Sequence, residues 1–151
     1  MIILSGNIII NEKKEIYLIY RTKWNHLETP GGKLEKKDCE NYETPTITEL
    51  KNRAKTELQE EVKGIQIINT SYFRKQEFRI PDGRKATAHK FITKIEGNPE
   101  PNEQIFNKKK SKYYTIQELE NKKMSPDLKL LLPKIKQYLN NPSTLKNKPN
   151  Y

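Results

Sequence analysis

Three glutamates in one short segment have the type and spacing needed to hold a cation. Glu57, Glu60 and Glu61 are three and four positions apart, so on a helix they would share one face. Like charges at this spacing destabilise an isolated helix by a few tenths of a kcal/mol per pair, and a helix that accepts this cost often binds a cation. Carboxylate oxygens are ligands that Mg²⁺ prefers, and Mg²⁺ commonly works with phosphate-bearing substrates. The alternative is a solvated acidic face, which is common on helices.

A pair of glycines upstream favours the metal-site interpretation. Gly31 and Gly32 lie in the segment Pro30–Glu35, and glycine lets the backbone approach a ligand closely or adopt positive φ. A glycine loop that leads into an acidic helix therefore predicts a site for a metal ion and phosphate groups.

These two segments together resemble the Nudix box of the Nudix (MutT-type) pyrophosphohydrolases. The similarity covers roughly residues 1–140. The strand-like segments Ile2–Ile10 and Ile16–Arg21, which we expect to pair as a hairpin, precede the box, and a strand followed by a helix is expected across 113–119. The resemblance implies an α/β protein with a Nudix-type α/β/α sandwich and a mixed sheet.

The chain departs from the family pattern in three ways. Gly32 and Glu57 are 25 positions apart (57 − 32), which is longer than in the family, and the extra residues are expected near 38–43 or at the start of the helix. Thr56 occupies the position of the family arginine, which normally braces the carboxylates. Lys63 replaces the glycine after the glutamate pair, and Gly64 is expected to end the helix in its place.

Helical geometry offers a substitute for the missing arginine. Arg53 lies one turn before Glu57 and close to it around the helix axis. We expect Arg53 to pair with Glu57, or with Asp38 or Glu43 from the longer loop. The alternative is an arginine that faces solvent.

The resemblance also implies roles for individual residues. Mg²⁺, with Mn²⁺ as a possible substitute, would be held by four residues: the backbone carbonyl of Gly31 and the side chains of Glu57, Glu60 and Glu61. Glu57 and Glu61 are candidate catalytic residues. Glu103 is expected to complete the site from a separate loop, with Glu100 as the reserve candidate.

Substrate-binding residues are less clear from the sequence. Arg21 and Lys33 could contact phosphates, and Trp24 could stack on a base, although aromatic residues near strand ends more often belong to the core or its rim. The implied function is Mg²⁺-dependent hydrolysis of a nucleoside diphosphate linked to another group, as in nucleoside triphosphates or ADP-ribose. The alternatives are a pyrophosphohydrolase of RNA 5′ ends and a catalytically weak nucleotide-binding module.

Local patterns predict the remaining elements. An apolar stripe predicts a helix over 47–62, with Thr46 and Glu49 at capping-box spacing. A loop is expected at 21–29, and strands at 65–73, 75–80 and 85–95. Ser125 should open a final helix over 128–139, which Pro133 should kink or interrupt.

Composition limits the class of protein. The 151 residues are 33% hydrophobic, and they suit one domain at 1–140 followed by a polar tail at 141–151. There is no apolar run of about 18 residues, which argues against a membrane span. The absence of a secretory signal pattern and the lone Cys39 favour the cytoplasm. The sequence does not predict an oligomeric state.

Positive charge is concentrated in the last third of the chain. Residues 108–151 hold 11 Lys and Arg against 3 Asp and Glu, an excess of 8 in a total net charge of +10. Such a region could attract nucleic acid or another polyanion. The alternative is a lysine-rich surface without a specific partner.

Overall fold

The computed structural model describes residues 1–141, which form two β-sheets and three α-helices. The strands are β1 (Ile2–Ile9), β2 (Ile16–Arg21), β3 (His26–Glu28), β4 (Gly31–Lys33), β5 (Val62–Arg79), β6 (Lys85–Pro101) and β7 (Lys112–Tyr114). The helices are α1 (Ile47–Glu61), α2 (Ile116–Leu119) and α3 (Pro126–Asn140), with a 3₁₀ turn at Lys36–Asp38. One sheet has the order β4-β1-β6-β5 and the other β3-β2-β7. β1 and β6 are parallel while the other pairs are antiparallel, so the larger sheet is mixed.

Alternating side chains of β1 place apolar residues on both faces of the larger sheet. Ile3 belongs to a buried cluster with Leu50 and Ala54 of α1. Ile8 belongs instead to a cluster with residues of α3, including Leu128 and Leu131. Because neighbouring strand residues point to opposite faces, the sheet lies between α1 and α3. The predicted α/β/α sandwich with a mixed sheet is confirmed.

Helix α1 begins as its sequence predicts and ends differently. The hydroxyl of Thr46 accepts a hydrogen bond from the Glu49 N–H, and the Glu49 carboxylate accepts one from the Thr46 N–H. The helix ends at Glu61 because Val62 is already extended and starts β5. Gly64, with φ of 79°, lies instead at a bulge of β5. Its predicted role as the end of the helix is therefore wrong.

The strand predictions contain three further errors. Segments β1 and β2 lie in different sheets and share only the bridge between Ile10 and Ile16, so they do not form the expected hairpin. The expected loop at 21–29 contains β3. The strands expected at 65–73 and 75–80 form one bulged strand, β5, and β6 extends to Pro101. Local patterns predicted extended backbone correctly, but the choice of partner strand depends on the whole fold.

The C-terminal elements follow their sequence signals. β7 is followed by α2, as expected for 113–119. The Ser125 hydroxyl accepts a hydrogen bond from the Leu128 N–H at the start of α3, and Pro133 lies inside this helix without interrupting it. The predicted tail at 141–151 lies, apart from Asn141, outside the described residues. Within residues 1–141, none of the helices combines the length and apolar character needed to cross a membrane.

Candidate active site

Two buried polar side chains of β1 fasten α1 to the sheet. The Ser5 hydroxyl donates to the Leu50 carbonyl over 2.6 Å. The Asn7 side-chain amide donates to the Ala54 carbonyl over 2.9 Å and to the Pro30 carbonyl over 3.2 Å. These bonds hold α1 and the segment before Gly31 against the same strand. Neither residue was predicted from the sequence, because a single Ser or Asn in a strand carries no recognisable pattern.

Gly31 meets the acidic end of α1 directly. Its N–H donates to Glu61 Oε1 over 2.8 Å, and Glu61 is only 5% exposed. Gly31 pairs with Gly6 of β1, and a Cβ on Gly31 would lie 2.5 Å from the Gly6 Cα. A side chain there would force the two strands apart. The expected approach of the glycines to a ligand stays a prediction, and neither Gly31 nor Gly32 adopts positive φ.

The Glu61 carboxylate lies in a buried environment that disfavours its charge. Burial raises the pKa of Glu61 to about 9, and the carboxylates of Glu28 and Glu57 add to the effect. Arg21 opposes it from 3.5 Å. Arg21 also donates through Nε to Glu28 over 2.6 Å, and Glu28 lies 2.8 Å from His26 Nε2. A carboxylate crowded by two others has the electrostatics of a site that gains from a bound cation.

Glu28 and His26 were not identified from the sequence. Both lie on β3, in a segment that was expected to be a loop. The signal that could have found them is their spacing. Residues two apart on a strand face the same side, and Arg21 pairs with His26 across β2 and β3.

The ion pair expected for Arg53 is present in the structure. Arg53 forms an ion pair with Glu57 and lies 3.7 Å from Asp38, which confirms two of the three partners proposed for it. Thr56 is exposed, and its hydroxyl donates to the Asn52 carbonyl. Burial raises the pKa of Glu57, while the Arg53 guanidinium opposes the shift and Glu60 adds to it.

Gly32 provides the space that Glu57 occupies. A Cβ on Gly32 would collide with the Glu57 carboxyl group. The two glycines therefore have separate tasks: Gly31 contacts Glu61 and Gly32 makes room for Glu57.

Carboxylate chemistry at the site suits a divalent cation, although the side chains do not enclose one. Glu57 and Glu61 influence each other, and Glu28 adds a third carboxylate. Glu60, in the same turn, is exposed. Across the described residues, no three His, Cys, Asp or Glu side chains converge closely enough to form a ligand cage. Carboxylate oxygens are suitable donors for a divalent cation. The Glu57 carboxylate, however, already forms an ion pair with Arg53.

Glu103 belongs to a neighbouring loop and makes a different contact. Its carboxylate lies 3.5 Å from Lys108 Nζ, and both side chains are largely exposed. The loop is tied to the end of α1, since the Asn102 N–H donates to the Glu61 carbonyl over 2.8 Å. Glu100 and Glu103 line a separate cavity. The catalytic role of Glu103 stays a prediction.

The three predicted substrate-binding residues line one cavity of about 310 Å³. We call it the site cavity; its walls include Arg21, Trp24, Glu28, Gly31, Gly32 and Lys33. Trp24 is 41% exposed, and Lys33 is exposed as well. The structure thus places these three side chains beside the glycine pair, and their binding roles stay predictions. The pair itself lies on β4 and not in the expected loop.

A buried ion pair forms another wall of the site cavity. Lys90 pairs with Asp127 at the start of α3, and its Nζ also donates to the Thr29 hydroxyl over 2.8 Å. Gln76 donates to Asp127 Oδ1 over 2.5 Å. Lys90, Asp127 and Gln76 are all buried. No sequence pattern predicted this network, because its members come from four distant segments.

Comparisons with known proteins identify the fold. No protein-family model and no curated protein sequence matches the chain. Among solved structures, it is similar to a MutT Nudix hydrolase from Burkholderia pseudomallei, with a TM-score of 0.67 and 16% identity over 87% of this chain and 95% of that one. A Nudix hydrolase from Nitrosomonas europaea gives a TM-score of 0.66 and 13% identity over 89% and 87%. A MutT protein from Methanosarcina mazei Go1 gives 0.58 and 17% over 90% and 93%. The α/β/α sandwich, with the glycine pair of β4 set against an acidic helix end, is therefore the Nudix fold.

Proposed function

We propose that this protein is a Mg²⁺-dependent pyrophosphohydrolase that cleaves a nucleoside diphosphate linked to another group. Nucleoside triphosphates and ADP-ribose are substrates of this type. The observation that carries the proposal is the position of Glu61, buried against the Gly31 N–H and crowded by Glu28 and Glu57. The similarity to Nudix hydrolases supports the same reaction class.

The metal would be held by the four residues already named for it: the Gly31 carbonyl, Glu57, Glu60 and Glu61. A bound Mg²⁺, or Mn²⁺ in its place, neutralises the diphosphate and lowers the pKa of a bound water. The Gly31 N–H orients Glu61. Arg53 holds Glu57 next to Gly32. These contacts position two of the three carboxylates, those of Glu57 and Glu61.

Other residues of the site cavity would hold the substrate. Arg21 and Lys33 supply positive charge for phosphate oxygens, and the exposed ring of Trp24 offers a surface for a base. Glu57 and Glu61 would act next to the reacting phosphate as catalytic residues. Glu103 would join them only when substrate and its metal ions are bound.

A catalytically weak nucleotide-binding module is the second candidate. The observation that favours it is the commitment of Glu57 to Arg53, in a box where Thr56 and Lys63 replace two family residues. Retention of all three glutamates of the acidic face favours the enzyme. An enzyme that hydrolyses RNA 5′ ends would carry out the same reaction on a larger substrate.

A substrate screen separates these candidates. Nucleoside triphosphates, ADP-ribose and 5′-triphosphorylated RNA would be incubated with Mg²⁺ or Mn²⁺, and released phosphate, pyrophosphate and nucleotide measured. We expect turnover of at least one substrate that depends on the metal. In Glu61→Gln turnover should fall by orders of magnitude while the fold, checked by a thermal melt, survives.

Glu77→Gln is the matched control, because Glu77 is an exposed glutamate of β5. It should behave like the wild-type protein. Wild-type turnover in Glu61→Gln would contradict the metal-centred mechanism. Saturable nucleotide binding without any turnover would favour the binding module.

A further inference from the structure

Two lysine clusters from separate parts of the chain meet in a second cavity. Five lysines and two tyrosines line this space of about 190 Å³, together with Leu27: Tyr20, Lys109, Lys110, Lys112, Tyr114, Lys122 and Lys123. We call it the lysine cavity. All five lysines are exposed, and no carboxylate lines the space. The fold therefore concentrates positive charge here beyond what either lysine run would do alone.

Hydrogen bonds to the β2–β3 pair fix the backbone of the segments that carry these lysines. The buried Ser111 lies between Lys110 and Lys112, and its hydroxyl accepts a hydrogen bond from the Tyr20 N–H over 2.9 Å. The Leu27 N–H donates to the Lys123 carbonyl over 3.0 Å. Both lysine clusters are thus hydrogen-bonded to the β2–β3 pair, so their convergence is part of the fold.

Two of the ammonium groups make cation–π contacts with tyrosine rings. Lys110 Nζ lies 4.5 Å from the centre of the Tyr20 ring, and Lys112 Nζ lies 5.4 Å from the centre of the Tyr114 ring. The nearby Glu118 does not line the cavity. Its carboxylate accepts the Thr115 N–H, which lowers its pKa, and the charges of Lys112 and Lys122 lower that pKa further. The cavity wall itself holds no carboxylate.

The lysine cavity is separate from the site cavity. Tyr20 and Leu27 line the former, whereas their strand neighbours Arg21 and His26 line the latter. Because successive strand residues face opposite sides, the two cavities lie on opposite faces of the β2–β3 pair. The lysines therefore do not belong to the catalytic machinery proposed above.

We propose that the lysine cavity binds the sugar-phosphate backbone of single-stranded nucleic acid. A row of exposed lysines neutralises phosphates, and an accessible aromatic ring among them can stack on an unpaired base. The half-buried Tyr20 supplies such a ring once a phosphate draws Lys110 away from its face. A lipid surface fits less well, because none of the large apolar side chains exposed in the described residues lines this cavity.

Fluorescence anisotropy with a labelled single-stranded RNA of about ten nucleotides tests the proposal, at a series of salt concentrations without divalent metal. Two variants each remove two charges from one cluster: Lys109→Ala/Lys112→Ala and Lys122→Ala/Lys123→Ala. We expect each to weaken binding about tenfold or more. Each should also flatten the log–log salt slope by about 1.4, at about 0.7 for every phosphate that is no longer neutralised.

The matched control is Lys134→Ala/Lys136→Ala, which removes the same charge from exposed positions of α3. It should change binding less than threefold. An equal loss in this control would overturn the proposal, because binding would then follow net charge alone. Equal affinity for inorganic polyphosphate, for duplex RNA of the same length or for anionic vesicles would overturn it too. Catalytic failure in the substrate screen leaves this test unaffected, since it measures binding only.

Discussion

The two cavities on either side of the β2–β3 pair handle charge in opposite ways. In and around the site cavity, Arg21, Arg53 and Lys90 each pair with at least one carboxylate and are largely withdrawn from water, whereas Lys33 is exposed. In the lysine cavity, five cations are exposed and no carboxylate lines the wall. Paired, buried charges fix positions at a cost in solvation, whereas exposed like charges leave the fold almost unaffected and are available to a partner. The first arrangement suits chemistry and the second suits the binding of an extended anion.

The largest expected effect that tests this contrast is on the ion pair between Lys90 and Asp127. We expect Lys90→Met to lower the free energy of unfolding by about 3–5 kcal/mol, because it leaves the Asp127 charge buried without its partner. Urea unfolding followed by circular dichroism measures this. The double variant Lys90→Met/Asp127→Leu should recover much of the loss. A cost below about 1 kcal/mol in the single variant would mean that the pair does not fix this wall.

Replacement of Arg53 should have a smaller effect on stability, and it should also affect turnover. Arg53→Ala should lower the free energy of unfolding by about 1–3 kcal/mol, since it removes charged hydrogen bonds at a largely buried site. It should also reduce turnover, because Glu57 loses the contact that holds it beside Gly32. Asp38→Asn removes only the longer of the two ion pairs and should cost less in both measurements. If Arg53→Ala changes neither stability nor turnover, Arg53 does not replace the family arginine.

The smallest effect on stability is expected for substitutions in the lysine cavity. Lys122→Ala/Lys123→Ala should change the free energy of unfolding by no more than about 0.5 kcal/mol, because exposed substitutions away from packed features rarely do more. The same urea titration, run at low and high salt, measures it. A large loss would show that these lysines support the fold, and the contrast between the two cavities would disappear.

Parts of the site could be predicted from the sequence where they depend on residue type and short spacing. The i, i+4 relation predicted the pairing of Arg53 with Glu57, and the capping box located the start of α1. The glycine pair was expected beside the acidic helix, and the Gly31 N–H does donate to Glu61. Each of these follows from local geometry, which the chain carries within a few residues.

Other parts could not be predicted, because they form where distant segments meet. Glu28 lies on a three-residue strand that forms only by pairing with β2. The Lys90–Asp127 pair joins β6 to the start of α3, and no periodicity links those positions. The expected hairpin of β1 and β2 was wrong because β1 finds its partners in β4 and β6. Partner choice among strands is a property of the whole chain and not of a segment.

The parallel pairing of β1 with β6 sets the order in which this protein can assemble. Ile2 is paired with Ala86, 84 positions away (86 − 2), whereas β5 and β6 are joined by a short turn and can pair as soon as both exist. Distant pairings close late because the entropy of a long loop must be overcome first. During synthesis, the edge of β1 that pairs with β6 must therefore stay unpaired until more than half of the chain has been made, although β1 can pair with β4 earlier. Because Ser5, Asn7 and Gly6 fasten β4 and α1 to that strand, we expect the candidate active site to be among the last parts of the molecule to become stable.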